Sequence, residues 1–273
     1  MFRKIALKII GLDILRKTRH RVYMAFPARL PDNYSHHDRP IKVLVLGIYV
    51  GDRENTVEHL LGAYASSNGV STQQRWIALN KVSSHPEVLK VTTKLYDHRV
   101  SKYSLVNTLL KAGDFQNFDY IIMTDDDIHL KRNFLPTFLA HQIQLGFAVA
   151  QPARAWHSYF DLSFPLRRPW LRARQTRFVE CGPLVSMRAD AASLLLPFDE
   201  AAPMWGLDLT WPTVIEANDL TMGIVDALSV DHSLRPQGKT YSRIQEQEAM
   251  EQFLKNKPHL MPQEAFVVLK TYI

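Results

Sequence analysis

A chain of 273 residues with 46 % hydrophobic and 22 % charged residues has an ordinary globular composition, which excludes disordered and collagen-like classes. The net charge of +6 is carried entirely by residues 1–24, where seven Lys and Arg stand against Asp13, so no basic face of the kind that binds nucleic acid is spread over the rest. A single cysteine, Cys181, excludes an internal disulfide framework, fits a reducing compartment and reads as a small buried hydrophobe.

In chain order, the first 24 residues alternate apolar and basic side chains and predict a basic amphipathic helix. It is too interrupted by charge to span a bilayer, which needs about 20 mostly apolar residues, and it lacks the cleavage site of a secretory signal. Two readings stay open: a helix lying on an anionic membrane surface, or one packed on the domain. Residues 25–40, with Pro27, Pro31 and Pro40, read as an exposed linker in which His36-His37 lacks metal-ligand spacing.

From Ile41 strands and helices alternate. Strands are predicted at 41–50, 75–79, 91–96, 118–124 and 147–150, with helices at 55–65, 101–112 and 133–145. This series argues for a doubly wound, mostly parallel sheet between helical layers. Residues 152–177, rich in Arg and aromatics, read as a long loop, in which Arg168, Arg172 and Arg174 are lid candidates for closing over a diphosphate. A strand at 178–187, a helix at 189–196 and a last strand at 221–230 follow, then a helical tail.

The strand at 118–124 ends in Asp125-Asp126-Asp127. Three carboxylates at one strand end repel each other unless a cation or donor-rich ligand sits there, and in open α/β sheets the ligand crevice lies at the carboxyl ends of strands. Hard oxygen ligands of this kind suit Mg²⁺ or Mn²⁺, which travel with phosphates. The competing reading is a solvated acidic turn. There is no Gly-x-Gly-x-x-Gly and no P-loop motif.

Later landmarks are Gln151-Pro152-Ala153, Glu180-Cys181-Gly182-Pro183, Trp205-Gly206-Leu207-Asp208 and Val230-Asp231-His232. With the acidic strand end, this ordered set over residues 41–240 resembles the metal-dependent glycosyltransferases of the GT-A fold. More narrowly it is similar to DUF707, a family of uncharacterised glycosyltransferase-like proteins of plants and bacteria. The resemblance implies a Rossmann-like three-layer α/β/α sandwich with a mostly parallel central sheet. It divides the chain into an arm and linker (1–40), a catalytic domain (41–246) and a helical tail (247–273).

The resemblance also assigns roles. Asp127, with Asp125 directly or through water, would hold Mn²⁺ or Mg²⁺, and His232 would add an imidazole ligand; Asp125 has a second reading, facing the ribose. Lys102, Tyr49, Asp52 and Asp126 fall on the donor side, and Trp205 and Gly206 on the acceptor side. Asp208, at the head of a helix, would be the general base, held anionic by the helix dipole; its other reading is a helix N-cap.

The expected reaction moves a sugar from a nucleotide-diphosphate donor to a hydroxyl acceptor, with inversion, on a lipid-linked or cell-surface glycan precursor at the inner, cytoplasmic face of a membrane. The rivals are a nucleotidyltransferase or metal-dependent phosphohydrolase using the same carboxylates, and a non-catalytic nucleotide- or glycan-binding protein of the same fold.

Overall fold

The run Ile41–Val50 forms β1, apolar on both faces apart from Lys42, because it lies inside a sheet covered by helices on two sides. It pairs in parallel with β2 (Val70–Leu79) on one side and β4 (Tyr120–Thr124) on the other, and β3 (Thr92–Tyr96) extends β2 at the edge. The computed structural model describes residues 2–31, 39–67, 69–236 and 243–273; His36-His37, with the rest of 32–38 in the predicted linker, lie outside the described residues.

Successive β1 residues serve two different cores, as the twofold repeat of a strand requires. Val43, Val45 and Tyr49 face α2 (Val57–Ala63) and α6 (Phe134–Gln144), packing with Leu60, Tyr64, Phe134 and Phe138. Leu44 and Leu46 face α4 (Lys102–Leu109), α7 (Ala189–Leu195) and α8 (Leu207–Ala217), packing with Tyr103, Leu105, Ala191 and Trp211. The result is three layers with a nine-stranded sheet in the middle, ordered β3-β2-β1-β4-β7-β5-β8-β6-β9.

The sheet is mixed, which corrects the mostly parallel expectation. The chain leaves β4, passes through α6 and enters β5 (Val149–Arg154) one place beyond the adjacent slot. β7 (Leu184–Arg188) later fills that slot, running against both neighbours. β8 (Met222–Val230) is parallel to β5, whereas β6 (Ala173–Thr176) opposes both β8 and β9 (Val268–Tyr272). Buried strands read as apolar runs whichever way they point, so sequence pattern carried no sign of this reversal.

Three other expectations change. The 152–177 stretch is not one loop, since β5 runs on to Arg154 and β6 occupies 173–176. Residues 178–183, expected as strand, are irregular and pass beside the acidic strand end. The tail is not helical throughout: after α9 (Arg243–Leu254) and a short α10 (Pro262–Ala265) it ends in β9, the edge strand of the same sheet.

Residues Phe2–Ala25 form one helix, α1. Its last turns dock on the domain. Arg16 lies over the Tyr159 ring at 4.2 Å, Tyr23 donates to the Ser229 carbonyl and Ala28 N donates to Arg132 O at 2.9 Å.

Candidate active site

The carboxyl ends of β1, β4 and β8 converge around the acidic triplet, and each aspartate meets a different partner. Asp125 accepts from Lys102 Nζ at 2.5 Å, with Lys102 placed by the first turn of α4. The Ser101 side chain caps that helix by accepting from Tyr103 N. Burial would lower the Lys102 pKa, but the charge and hydrogen bond of Asp125, with Cys181 and Asp127, together outweigh it and raise it. Gly182 permits this pairing: a Cβ there would lie 2.9 Å from both Asp125 Oδ2 and Lys102 Nζ.

Asp126 turns inward, is 3 % exposed, and accepts from Val50 N at 2.7 Å and from the Arg235 guanidinium. Burial pushes its carboxyl up to about 6, with Arg235 pulling the other way. Asp127 Oδ1 lies 3.0 Å from His232 Nε2, and its Oδ2 accepts from Arg235 Nε at 3.2 Å. Burial would raise Asp127, but His232 and Arg235 together hold it down at about 2.

Asp208 occupies the second residue of α8. It is not the N-cap, which corrects that alternative; Gly206 takes the cap position at φ +103°, and a Cβ there would lie 2.6 Å from Met250 Cγ. Desolvation and the nearby Glu180 charge push the Asp208 carboxyl up to about 7, and backbone hydrogen bonds at Asp208, Cys181 and Gly206 only partly offset them. Glu180 is fixed from β5: its Oε2 accepts from the buried Arg154 at 2.6 Å and its N–H donates to Gln151 Oε1 at 2.5 Å. Tyr103 lies within electrostatic range of both Asp208 and Asp125. Cys181 is buried between them as part of the core.

Several predicted site residues take other roles. Tyr49 is fully buried, with its hydroxyl 3.1 Å from Thr92 Oγ1 and from Ser83 N, so it packs the core and offers no face for a base. Asp52 is exposed beyond β1 and accepts from Asn80 Nδ2 at 3.0 Å. Asp126 is committed to Val50 and Arg235 rather than open to a donor. Trp205 is partly buried just before Gly206.

The lid does not form as expected. Arg174 has no exposed surface; it binds Asp226 of β8 through Nε at 2.8 Å and the carbonyls of Phe164 and Leu166. Arg172 lies against α6, donating to His141 Nδ1 at 3.1 Å and to Gln144. Arg168 is exposed, its backbone N–H held by Asp226 Oδ1 at 2.8 Å. All three are placed by Asp226 or α6, away from the triplet.

The expected metal triad is also incomplete. Among the described residues, the one group of three His, Cys or acidic ligand atoms lying within 4.8 Å of each other is His20, His129 and Asp231. Asp125, Asp127 and His232 do not form such a group, and Asp125 pairs with Lys102 instead. Asp127 and His232 do fit a divalent ion as a pair, since 3.0 Å is about the separation of neighbouring ligand atoms on one ion with bonds near 2.1 Å.

Arg235 was not foreseen, although it lies three residues beyond His232 at the same strand end. The separate cavity of about 490 Å³ lined by Arg39, Phe118, Asp119 and Arg188 lies at the amino ends of β1 and β4, the opposite end of the sheet from these groups.

No family model matches the chain, and no curated protein matches it, so the DUF707 likeness rests on its motifs alone. Solved structures do match. Staphylococcus aureus TarS residues 1–349 with UDP-GlcNAc superpose with a TM-score of 0.51 at 10 % identity, over 82 % of this chain and 69 % of that one. GalNAc-T7 with UDP, GalNAc and Mn²⁺ superposes with a TM-score of 0.51 at 11 % identity, over 79 % of this chain; the match spans 48 % of GalNAc-T7. The mixed sheet with its acidic strand end therefore has the fold of these structures, GT-A.

Proposed function

We propose that the chain is a glycosyltransferase that moves a sugar from a nucleotide-diphosphate donor to a hydroxyl acceptor. One observation carries the reading: the GT-A fold brings Asp127 and His232 to 3.0 Å at the strand ends, and Glu180, within electrostatic range of His232, also acts on an Asp208 carboxyl raised to about 7. The neighbouring structures contain UDP or UDP-GlcNAc, which supports a uridine nucleotide as the first donor to try.

In this reading Arg235 and Lys102 are the cations nearest the donor phosphates, and each pairs with a strand-end aspartate. Asp208 takes the acceptor hydroxyl proton as the new bond forms, and its elevated pKa makes it a competent base near neutral pH. A single base on the acceptor side favours inversion. Glu180, tied to Arg154, sets the field at Asp208. A bound Mn²⁺ or Mg²⁺, held by Asp127 and His232, would supply Lewis-acid stabilisation of the leaving diphosphate. An anionic membrane surface as partner is supported by exposed Ile14, Leu15, Val22 and Phe26 beside the basic residues of α1. No helix among the described residues is long and apolar enough to cross a membrane.

The test is incubation of the full chain with nucleotide sugars and Mn²⁺, scoring nucleoside diphosphate, pyrophosphate and inorganic phosphate separately. Acceptor-stimulated release of the diphosphate is the expected result. Pyrophosphate release would assign a nucleotidyltransferase, phosphate release a hydrolase, and binding without turnover of any donor a non-catalytic protein.

A further inference from the structure

Behind the donor cleft, histidines gather at the same strand end. His129, two residues beyond Asp127, bridges Asp231 in an isolated antiparallel pair. Consecutive residues of the last strand end therefore serve two clusters: His232 meets Asp127, while Asp231 meets imidazoles on the other side.

That second cluster is tight. One ligand atom each from His20, His129 and Asp231 lie within 4.8 Å of one another. His20 Nδ1 is 2.5 Å from Asp231 Oδ2, and its ring stands edge-on to that of His129 with centroids 4.4 Å apart. His157 Nε2 also lies 3.0 Å from Asp231 Oδ2, close but not aligned as a hydrogen bond. Asp231 has no exposed surface and His157 only 8 %.

Despite this crowding, ligand-type atoms remain unsatisfied. The buried His129 Nδ1, His157 Nε2 and Asp231 Oδ1 have no hydrogen-bond partner. Orphaned buried donor and acceptor atoms are costly, and a cation held between imidazole and carboxylate would satisfy them. The neighbouring His59 is differently committed, accepting from Leu130 N at 3.0 Å.

We propose that His20, His129 and Asp231 bind a second divalent ion, Zn²⁺, distinct from any ion at Asp127 and His232, which fastens α1 to the catalytic sheet. Two imidazoles and one carboxylate are a set that zinc accepts with one coordination position left over. His157 stands beside Asp231 as the outer group that orients it. Ligand atoms on tetrahedral zinc lie about 3.3 Å apart, so side-chain rotations of roughly 1 Å complete the site. The inference does not depend on the transferase reading, because the ion joins a helix to a strand end and needs no donor.

The experiment strips the full chain with chelator, adds one equivalent of Zn²⁺, removes excess by gel filtration and measures zinc by mass spectrometry. About one zinc per wild-type chain is expected. His20→Ala and His129→Ala should retain roughly tenfold less, while Asp127→Asn keeps the wild-type content. Cobalt loading of the wild type should give a visible d–d band that His129→Ala lacks. Wild-type zinc no higher than that of His20→Ala overturns the proposal. So does loss of the zinc in Asp127→Asn, which would place the ion in the donor cleft. If His129→Ala fails to fold, His20→Ala decides alone, since its side chain is 30 % exposed on a surface helix.

Discussion

Asp127 and His232 meet at 3.0 Å although 105 positions separate them in the chain. The pair exists because β8 returns beside β5, and its end then bridges the segment after β4 through His129 and Asp231. The position of His232 is thus set by backbone pairing one residue upstream.

Replacing Asp127 by Ala should remove the carboxylate that His232 meets and one of the two that Arg235 binds. We expect acceptor-dependent diphosphate release to fall by about 10²–10³-fold, and Mn²⁺ to lose its contribution to nucleotide binding. A thermal-shift titration of UDP with and without Mn²⁺ measures the second effect. A shift equal to wild type in both conditions removes Asp127 from the donor site.

Asp208→Asn should lower kcat by about 10²–10⁴-fold with donor KM little changed. The wild-type rate should fall as pH drops through about 7, because the base works only when deprotonated. Stability should move in the opposite sense. The folded carboxyl binds its proton more tightly than the unfolded one, so stability is greatest below the unfolded pKa of about 4 and declines as pH rises to about 7. Asp208→Asn should therefore raise Tm by about 2–4 °C at pH 8, and calorimetry at pH 8 against pH 4 should show the gain only at the higher pH.

Arg235→Gln should expose the repulsion that this guanidinium relieves between Asp126 and Asp127. With Arg235 24 % exposed, the loss should be about 1–3 kcal/mol, below that for a fully buried pair. Urea denaturation measures it, and the donor KM should rise in the same variant. An unchanged midpoint would mean that the two carboxylates gain nothing from Arg235.

Arg174→Met and Arg168→Ala separate a structural arginine from an exposed one. The first breaks a fully buried pair with Asp226 and should cost about 3–5 kcal/mol. The second leaves the Arg168 backbone bond to Asp226 intact and should cost less than about 0.5 kcal/mol. Diphosphate release by Arg168→Ala should match wild type, whereas a closing lid would make it lose turnover.

How far the sequence led depended on the range of the forces involved. β1 was read with its observed limits, Ile41 and Val50, because burial on both faces leaves an uninterrupted apolar run. The pairing of a strand end with consecutive aspartates, the placement of Lys102 at a helix start and the helix beginning near Asp208 were also local features. Arg235 was not visible because nothing beside it in sequence says that its partners lie on another strand. Arg168 and Arg174 look alike in sequence, yet Asp226 buries one side chain and leaves the other in water. Tyr49 misled for the related reason that its hydroxyl is satisfied by Thr92 and Ser83, which are distant in the chain. β9 escaped notice because its residues are largely exposed, and a half-wet edge has little apolar periodicity to find.

Edge placement gives those last residues a protective duty. β9 covers the outer hydrogen-bonding row of β6, which carries Arg174. Were Val268–Tyr272 cut away, β6 would present unpaired amides and carbonyls, a template onto which another chain could add. Fraying at this rim would then show itself as self-association before any loss at the distant donor cleft.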